Sequence, residues 1–272
     1  MYKKAYGVIE TLSPLHVGAT AGEEAGNLNL IFREQFTQTG IVPGSSVRGR
    51  FRADMRQHTG ESETNYWYGE GAASEQSNIN NESIIKFEHA SIVWLPVFCP
   101  GQPIVWVTCP YLLKRYKRIT GKDFEIPDRY TGSSILKARE SRGQKTLFFN
   151  LGFLTVNKLE NLSHCFPSGE EQPAVVVDDA DISMIHDMAL YRQSRVRLKD
   201  NEKVVDGGGF FNTEALPEGT ILIFPIAIKK NKDRPDEKWE PFGKARKNEA
   251  EMYLGGLESI GFGHCVITLE GV

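Results

Sequence analysis

The chain has 272 residues, of which 40% are hydrophobic and 25% charged, and a formal net charge of −3. That length accommodates one elaborated domain or two small ones, and the charge excludes a generally basic nucleic-acid coat. No run approaches the roughly 18 apolar residues of a membrane-spanning helix, and the opening MYKKAYGVIE has no apolar signal-peptide core, so a cytoplasmic protein with no membrane partner is expected.

In chain order, residues 4–12 predict a strand, followed by a proline-broken turn that carries His16. Residues 41–58, IVPGSSVRGRFRADMRQH, are a Pro43–Gly44 turn feeding a helix over 45–57, with Ser45 or Ser46 as its N-cap. Val47, Phe51 and Met55 recur four apart and can face a core; Arg48, Arg52 and Arg56 form the neighbouring row. Guanidinium groups bury poorly without partners, and free N–H groups at a helix start favour anions. The stretch therefore suits a polyanion, the other reading being an amphipathic helix with a solvated basic face.

Residues 59–82, rich in Gly, Ser, Asn and Glu, read as a mobile insertion. Residues 83–98 are strand material with a turn near Glu88–His89, 104–108 a short strand, and 111–119 a helix after Pro110. Between 120 and 172 only 147–156 looks strand-like, so this stretch reads as a second insertion on one domain spanning 1–272. A buried-type strand at 174–177 precedes a helix over 182–191 capped by Asp181. An extended hairpin follows over 192–214, then a central strand at 220–228 in which Pro225 points to an edge or a bulge. A helix over 244–254 runs into a glycine loop, and 264–269 is the last strand. Strand–helix–strand order, repeated twice, predicts an α+β fold with a ferredoxin-like core.

Charge is clustered rather than spread. Lys114, Arg115, Lys117 and Arg118 form one basic group, Lys137, Arg139, Arg142 and Lys145 another, and Arg195, Arg197 and Lys199 a third. Local basic tracks on a near-neutral body suit a groove for a single strand; each cluster alone also reads as a solvated face. The four cysteines form no C-x-x-C pair and show no metal-ligand spacing with the six histidines. Buried thiols are expected, without disulfide or zinc.

Three segments, AYGVIETLSPLHVG at 5–18, VPGSSVRG at 42–49 and LGGLESIGFGHCVITLEGV at 254–272, together resemble the RAMP superfamily of CRISPR effector subunits. The stretch VWVTCPYLLKRYKR at 105–118, and Arg195–Val196–Arg197 leading to the LPEGT of 216–220, are similar to its type III, Cmr-type backbone branch. The resemblance implies an RRM-like, ferredoxin-like palm with insertions and a β-hairpin thumb at 192–214. It implies guide RNA, complementary target RNA, other effector subunits and copies of the same chain as partners. Guide backbone would be held at Gly44, Ser45, Ser46, Arg48, Gly49 and Arg52, and at Gly256, Gly261 and Gly263. Phosphate contacts of that kind carry no sequence information. Arg195, Arg197 and Phe210–Phe211 would act on the thumb by stacking against bases, although the two phenylalanines equally read as hairpin core.

Target-cleaving members of the family carry a loop aspartate about five residues before an Arg-Glu or Arg-Asp pair, where it supports metal-dependent cleavage. Arg33–Glu34 matches the pair, and the resemblance makes Arg33 an RNA-contact candidate as well. Counting back reaches Leu28, flanked by Asn27 and Asn29, and no aspartate occurs before Asp54. Three readings stay open. The subunit holds RNA without cutting, or an aspartate has been replaced at Asn29, or Glu24 serves instead. Mg²⁺ is implied only for a cleaving subunit. A further class, a stand-alone endoribonuclease that processes precursor guide RNA, would use His16 for acid–base work; the alternative for His16 is a turn histidine satisfied locally.

Overall fold

Ala5, Gly7, Ile9 and Thr11 alternate inward along strand β1 (Tyr2–Thr11), the period-2 pattern of a half-buried strand. The computed structural model describes residues 2–19, 28–69, 82–141, 143–198, 205–230, 238–243 and 248–272, and at 28, 141, 197–198 and 205–211 the backbone alone. After β1 come β2 (Leu28–Asn29), β3 (Ile41–Val42), α1 (Gly44–Thr59), α2 (Glu61–Tyr68), β4 (Ile85–Phe87), β5 (Ala90–Cys99), β6 (Gln102–Thr108) and α3 (Pro110–Thr120). Next are β7 (Thr131–Ser133), β8 (Arg139–Ser141), β9 (Gln144–Phe149), β10 (Gly152–Val156), β11 (Lys158–Glu160), β12 (Ala174–Val176) and α4 (Ile182–Ala189). The chain closes with β13 (Tyr191–Leu198), β14 (Val205–Ala215), β15 (Ile221–Lys229), β16 (Glu249–Tyr253) and β17 (His264–Glu270).

An α+β architecture results. One 11-stranded mixed sheet runs β11-β7-β12-β6-β5-β15-β1-β17-β16, with β3 added on β5 and β4 on β15. Strands β8–β10 form a separate three-stranded sheet, and the hairpin β13–β14 forms another with β2. The main sheet is covered on both faces because its central strands carry apolar residues at successive positions. Leu222, Phe224 and Ile226 belong to the core that includes Val47, Phe51 and Met55 of α1, whereas Ile223 joins Leu113 and Tyr116 of α3. Phe51 sits at 5.4–6.1 Å from the rings of Phe87, Phe224, Trp239 and Phe242, and Trp94 stacks on Phe166 at 4.3 Å. Such aromatic packing contributes beyond the apolar area it buries.

Pro225 lies inside a central strand. Its carbonyl accepts from Glu88 N–H at 3.2 Å, where β4 ends and β5 has yet to begin. N–H and C=O of one residue in an antiparallel strand point the same way, so the missing donor faces the break between β4 and β5, where strand pairing is already interrupted.

Several expectations are corrected. Residues 249–253 form strand β16, with Ala250 and Met252 buried and their neighbours exposed; residues 244–247 lie outside the described residues. Residues 61–68, inside the stretch expected to be mobile, form α2, whose Trp67 and Tyr68 are buried. Within 120–172, β7 and β11 join the main sheet and β8 pairs β9, so strand structure there is wider than 147–156. The helix expected to 191 ends at Ala189 because Tyr191 already pairs with Ala215. Asp181 stands at the N-cap position of α4 without a capping bond; its carboxylate accepts from Tyr130 OH at 3.0 Å instead. All four cysteines are buried.

Candidate nucleic-acid interface

Helix α1 begins at Gly44, one residue before the expected start, with Pro43 in the N-cap position and no side-chain cap. Pro43 has φ −55° and ψ 142°, values its ring favours, and its carbonyl accepts from Ser46 and Val47 N–H at 2.9 and 3.1 Å. Ser45 and Ser46 therefore stand inside the first turn. A Cβ on Gly44 would lie 2.5 Å from Phe87 O, so this glycine lets the helix start press against β4.

A groove of about 400 Å³ opens beside this first turn, lined by Ser46, Gly49 and Arg50 of α1, Val17 and Gly18, and Tyr253, Gly255, Gly256 and Glu258. Three segments far apart in sequence meet there, and the main chains of two of them, residues 14–16 and 254–263, interlock. Gly256 N–H donates to His16 O at 3.0 Å, Gly263 N–H to Pro14 O at 2.9 Å, and Leu254 N–H to Gly263 O at 2.9 Å. Gly255 has φ +79°, and a Cβ on it would lie 2.2 Å from His16 O; Gly263 has φ +84°, with a Cβ 2.2 Å from Leu254 O. Only glycine fits either place. Gly49, Gly256 and Gly261 differ, since a Cβ on any of them meets nothing within 4 Å.

The arginines of α1 divide. Arg48 donates to Tyr68 O and Arg52 to Asn65 Oδ1 at 3.0 Å, tying α1 to α2. Burial, then the neighbouring guanidinium groups of Arg48 and Arg56, lower the Arg52 pKa. Arg50 instead lines the groove, its head 3.9 Å from Asp54 and its Nε without a hydrogen-bond partner among the described residues. Arg50 and Tyr253, whose ring stacks on His264 at 5.0 Å, were missed by sequence reasoning. The signal was present: Ser46, Gly49, Arg50 and Ala53 follow the i, i+3, i+4, i+7 spacing of one helix face.

The other expected residues gather at the root of the hairpin. Asn29 pairs with Thr213 of β14. Arg33 donates to Asp187 of α4 and, at 3.1 Å, to Glu214 of β14, whose other oxygen lies 3.2 Å from Arg192. Burial alone would lower the Arg33 pKa, but the two carboxylates outweigh it and the net shift is upward. His16 is buried, its Nδ1 2.6 Å from Glu214 O. Beside them His186, fully buried, accepts from Gly40 N–H at 2.9 Å through Nε2. Burial, then the nearby Arg33 charge, pushes its pKa down to about 4. Arg195 stands opposite Phe211, and the Phe210 backbone opposite Val196; the side chains of Arg197 and Phe210, and Glu24 entirely, lie outside the described residues.

These groups do not fit a divalent metal. Both oxygens of Glu214 are engaged by guanidinium groups, and no group of three or more His, Cys, Asp or Glu among the described residues could hold an ion. No helix among the described residues is long and apolar enough to cross a membrane.

In this α+β protein a groove lined by glycine main chain, Arg50 and Glu258 thus lies on the same molecule as a long hairpin. The sequence matches the RAMP superfamily over residues 8–266, and the chain belongs to that family. It is 27% identical over 297 residues to the "CRISPR system Cmr endoribonuclease Cmr4" of Pyrococcus furiosus, covering 99% of this chain and 97% of that protein. A chain in the cryo-EM structure of the type III-B Cmr-beta bound to cognate target RNA superposes with a TM-score of 0.72 at 20% identity, covering 98% of this chain and 96% of that one. Oligomeric Cmr4 from Pyrococcus furiosus superposes with a TM-score of 0.68 at 18% identity, over 99% of both chains.

Proposed function

We propose that this chain is a guide-RNA-holding backbone subunit of a type III CRISPR effector complex, stacked with copies of itself and other subunits around a guide–target RNA duplex. The observation that carries the reading is the groove, where the start of α1, the turn after β1 and the glycine loop meet around Arg50. A cation beside a helix surface left bare by Gly49 meets phosphate irrespective of base, which suits a subunit that must hold any guide. The strand order β17-β1-β15-β5, with α1 between β1 and β5, supports a ferredoxin-like palm, and hairpin β13–β14 is its thumb.

Target cleavage is the second reading, because the relative from Pyrococcus furiosus bears the name endoribonuclease. Against it, the resemblance puts Leu28, flanked by Asn27 and Asn29, about where the family's cleaving subunits carry a carboxylate. Asn29 could lend a metal its carbonyl oxygen but supplies no charge, so Mg²⁺ would need Glu24 or another group brought in by partners. A processing role for His16 is disfavoured by its burial and its bond to Glu214 O. The test is to assemble the protein with guide RNA and partner subunits, and to add labelled complementary RNA with Mg²⁺. Tight target binding with no cut assignable to this subunit is expected. Cuts that vanish on Glu24→Ala, and not on changes in neighbouring subunits, would make it a nuclease with a displaced carboxylate.

A further inference from the structure

A second, wider cavity lies away from the groove, on the outer face of the β8–β10 sheet. It measures about 1050 Å³ and opens between that sheet and the Cys99–Gly101 turn joining β5 to β6. Register explains what faces it. Arg139 pairs with Thr146 and Thr146 with Thr155, while Phe148 pairs with Phe153, so these five side chains share one face. Phe149 and Val156, on the opposite face, are buried in the core. Phe153 is 80% exposed and its ring lies 5.1 Å from that of Phe148. Lys137 joins the same wall, and its backbone is fixed there by a reciprocal pair of bonds with the buried Gln102 side chain, both 3.0 Å.

The chemistry of this wall is one-sided. Among the described residues no carboxylate lines it. The side chains of Lys137 and Arg139 make no ion pair or hydrogen bond with any described residue. Two unpaired cations, a row of threonine hydroxyls and two open aromatic rings combine the features that hold a single strand: charge for the backbone and π-faces for the bases. The guanidinium and ammonium groups of Arg33, Arg129, Lys158 and Arg192, by contrast, are matched by carboxylates.

We propose that this cleft is a second RNA site, which takes an unpaired single-stranded segment by stacking bases on Phe148 and Phe153 while Lys137 and Arg139 contact its phosphates. It is separate from the groove beside α1 and does not depend on that assignment.

The experiment uses the full chain and a 4-thiouridine-labelled oligouridine about a dozen nucleotides long, spanning the site size of such platforms. Photocrosslinks are mapped by peptide, and affinity is read by anisotropy across a salt series. Crosslinks within 144–155 are expected. Phe153→Ala, at an exposed position with an unchanged melting temperature, should weaken binding at this site by roughly tenfold. Lys137→Ala with Arg139→Ala should lower the salt slope. Crosslinks confined to 46–50 and 253–258 would overturn this proposal and leave the groove standing. A Phe153→Ala variant that keeps its RNA affinity but sediments as a smaller species would assign the face to a second copy of the chain, and also overturn it. RNA bound at neither place would overturn both readings.

Discussion

The groove beside α1 and the cleft beside β9 are both open concavities with cations at their walls, yet they are made of different material. The groove is made of main chain: Gly255 and Gly263 lock the glycine loop onto residues 14–16, and Gly49 leaves the helix surface bare. The cleft is made of side chains standing on a register-fixed sheet. Main-chain walls are indifferent to sequence but intolerant of any added Cβ; side-chain walls tolerate substitution but lose their chemistry with it. The two regions therefore fail differently.

The sharpest break is predicted at Gly255. Gly255→Val places a branched side chain at φ +79° and against His16 O, costing about 3 kcal/mol or more. Thermal denaturation should fall steeply and RNA binding should disappear with it. Gly49→Leu should separate the two effects. A Cβ there meets no neighbour, and leucine improves helix propensity over glycine by roughly 0.5–1 kcal/mol. Stability should hold or rise while RNA affinity drops, because the side chain fills the groove.

A third prediction concerns the charged root of the hairpin. Glu214→Gln leaves Arg33 and Arg192 with one neutral amide between them, a loss of about 1–3 kcal/mol. Chemical denaturation would measure it, and no change would mean that Asp187 alone holds Arg33. A smaller effect is pH dependence. His186 is held well below its ordinary 6.5, at about 4, by burial and by Arg33, with Asp187 opposing and Arg192 assisting. The unfolded chain takes the proton first, so stability is full above pH 6.5 and is lost as pH falls towards 4. His186→Gln keeps an acceptor for Gly40 N–H and should flatten that slope.

How much of this was legible in the sequence depended on how far apart the partners lie. The inward row Val47–Phe51–Met55 is a local pattern and was readable, as were α3 after Pro110 and the pairing of β13 with β14 inside the expected hairpin. Strand β16 was not: Lys, Glu and Ala around 244–254 favour a helix by propensity, and pairing with β17 overrides it. The arginine row at 48, 52 and 56 drew attention from Arg50, because what decides between them is α2, whose Tyr68 and Asn65 absorb Arg48 and Arg52. Arg33 read as an RNA contact, yet its carboxylates stand 154 and 181 positions away. No local spacing carries that information.

The most direct measurement is the salt dependence of single-stranded RNA affinity for the unaltered protein, Arg50→Ala and Arg48→Ala. If the groove grips phosphate, Arg50→Ala weakens binding across all sequences and reduces the log–log salt slope by about 0.7. Arg48→Ala costs stability by about 1 kcal/mol through its lost bond to Tyr68 O and leaves the slope unchanged. A slope reduced by Arg48→Ala and untouched by Arg50→Ala would contradict the account.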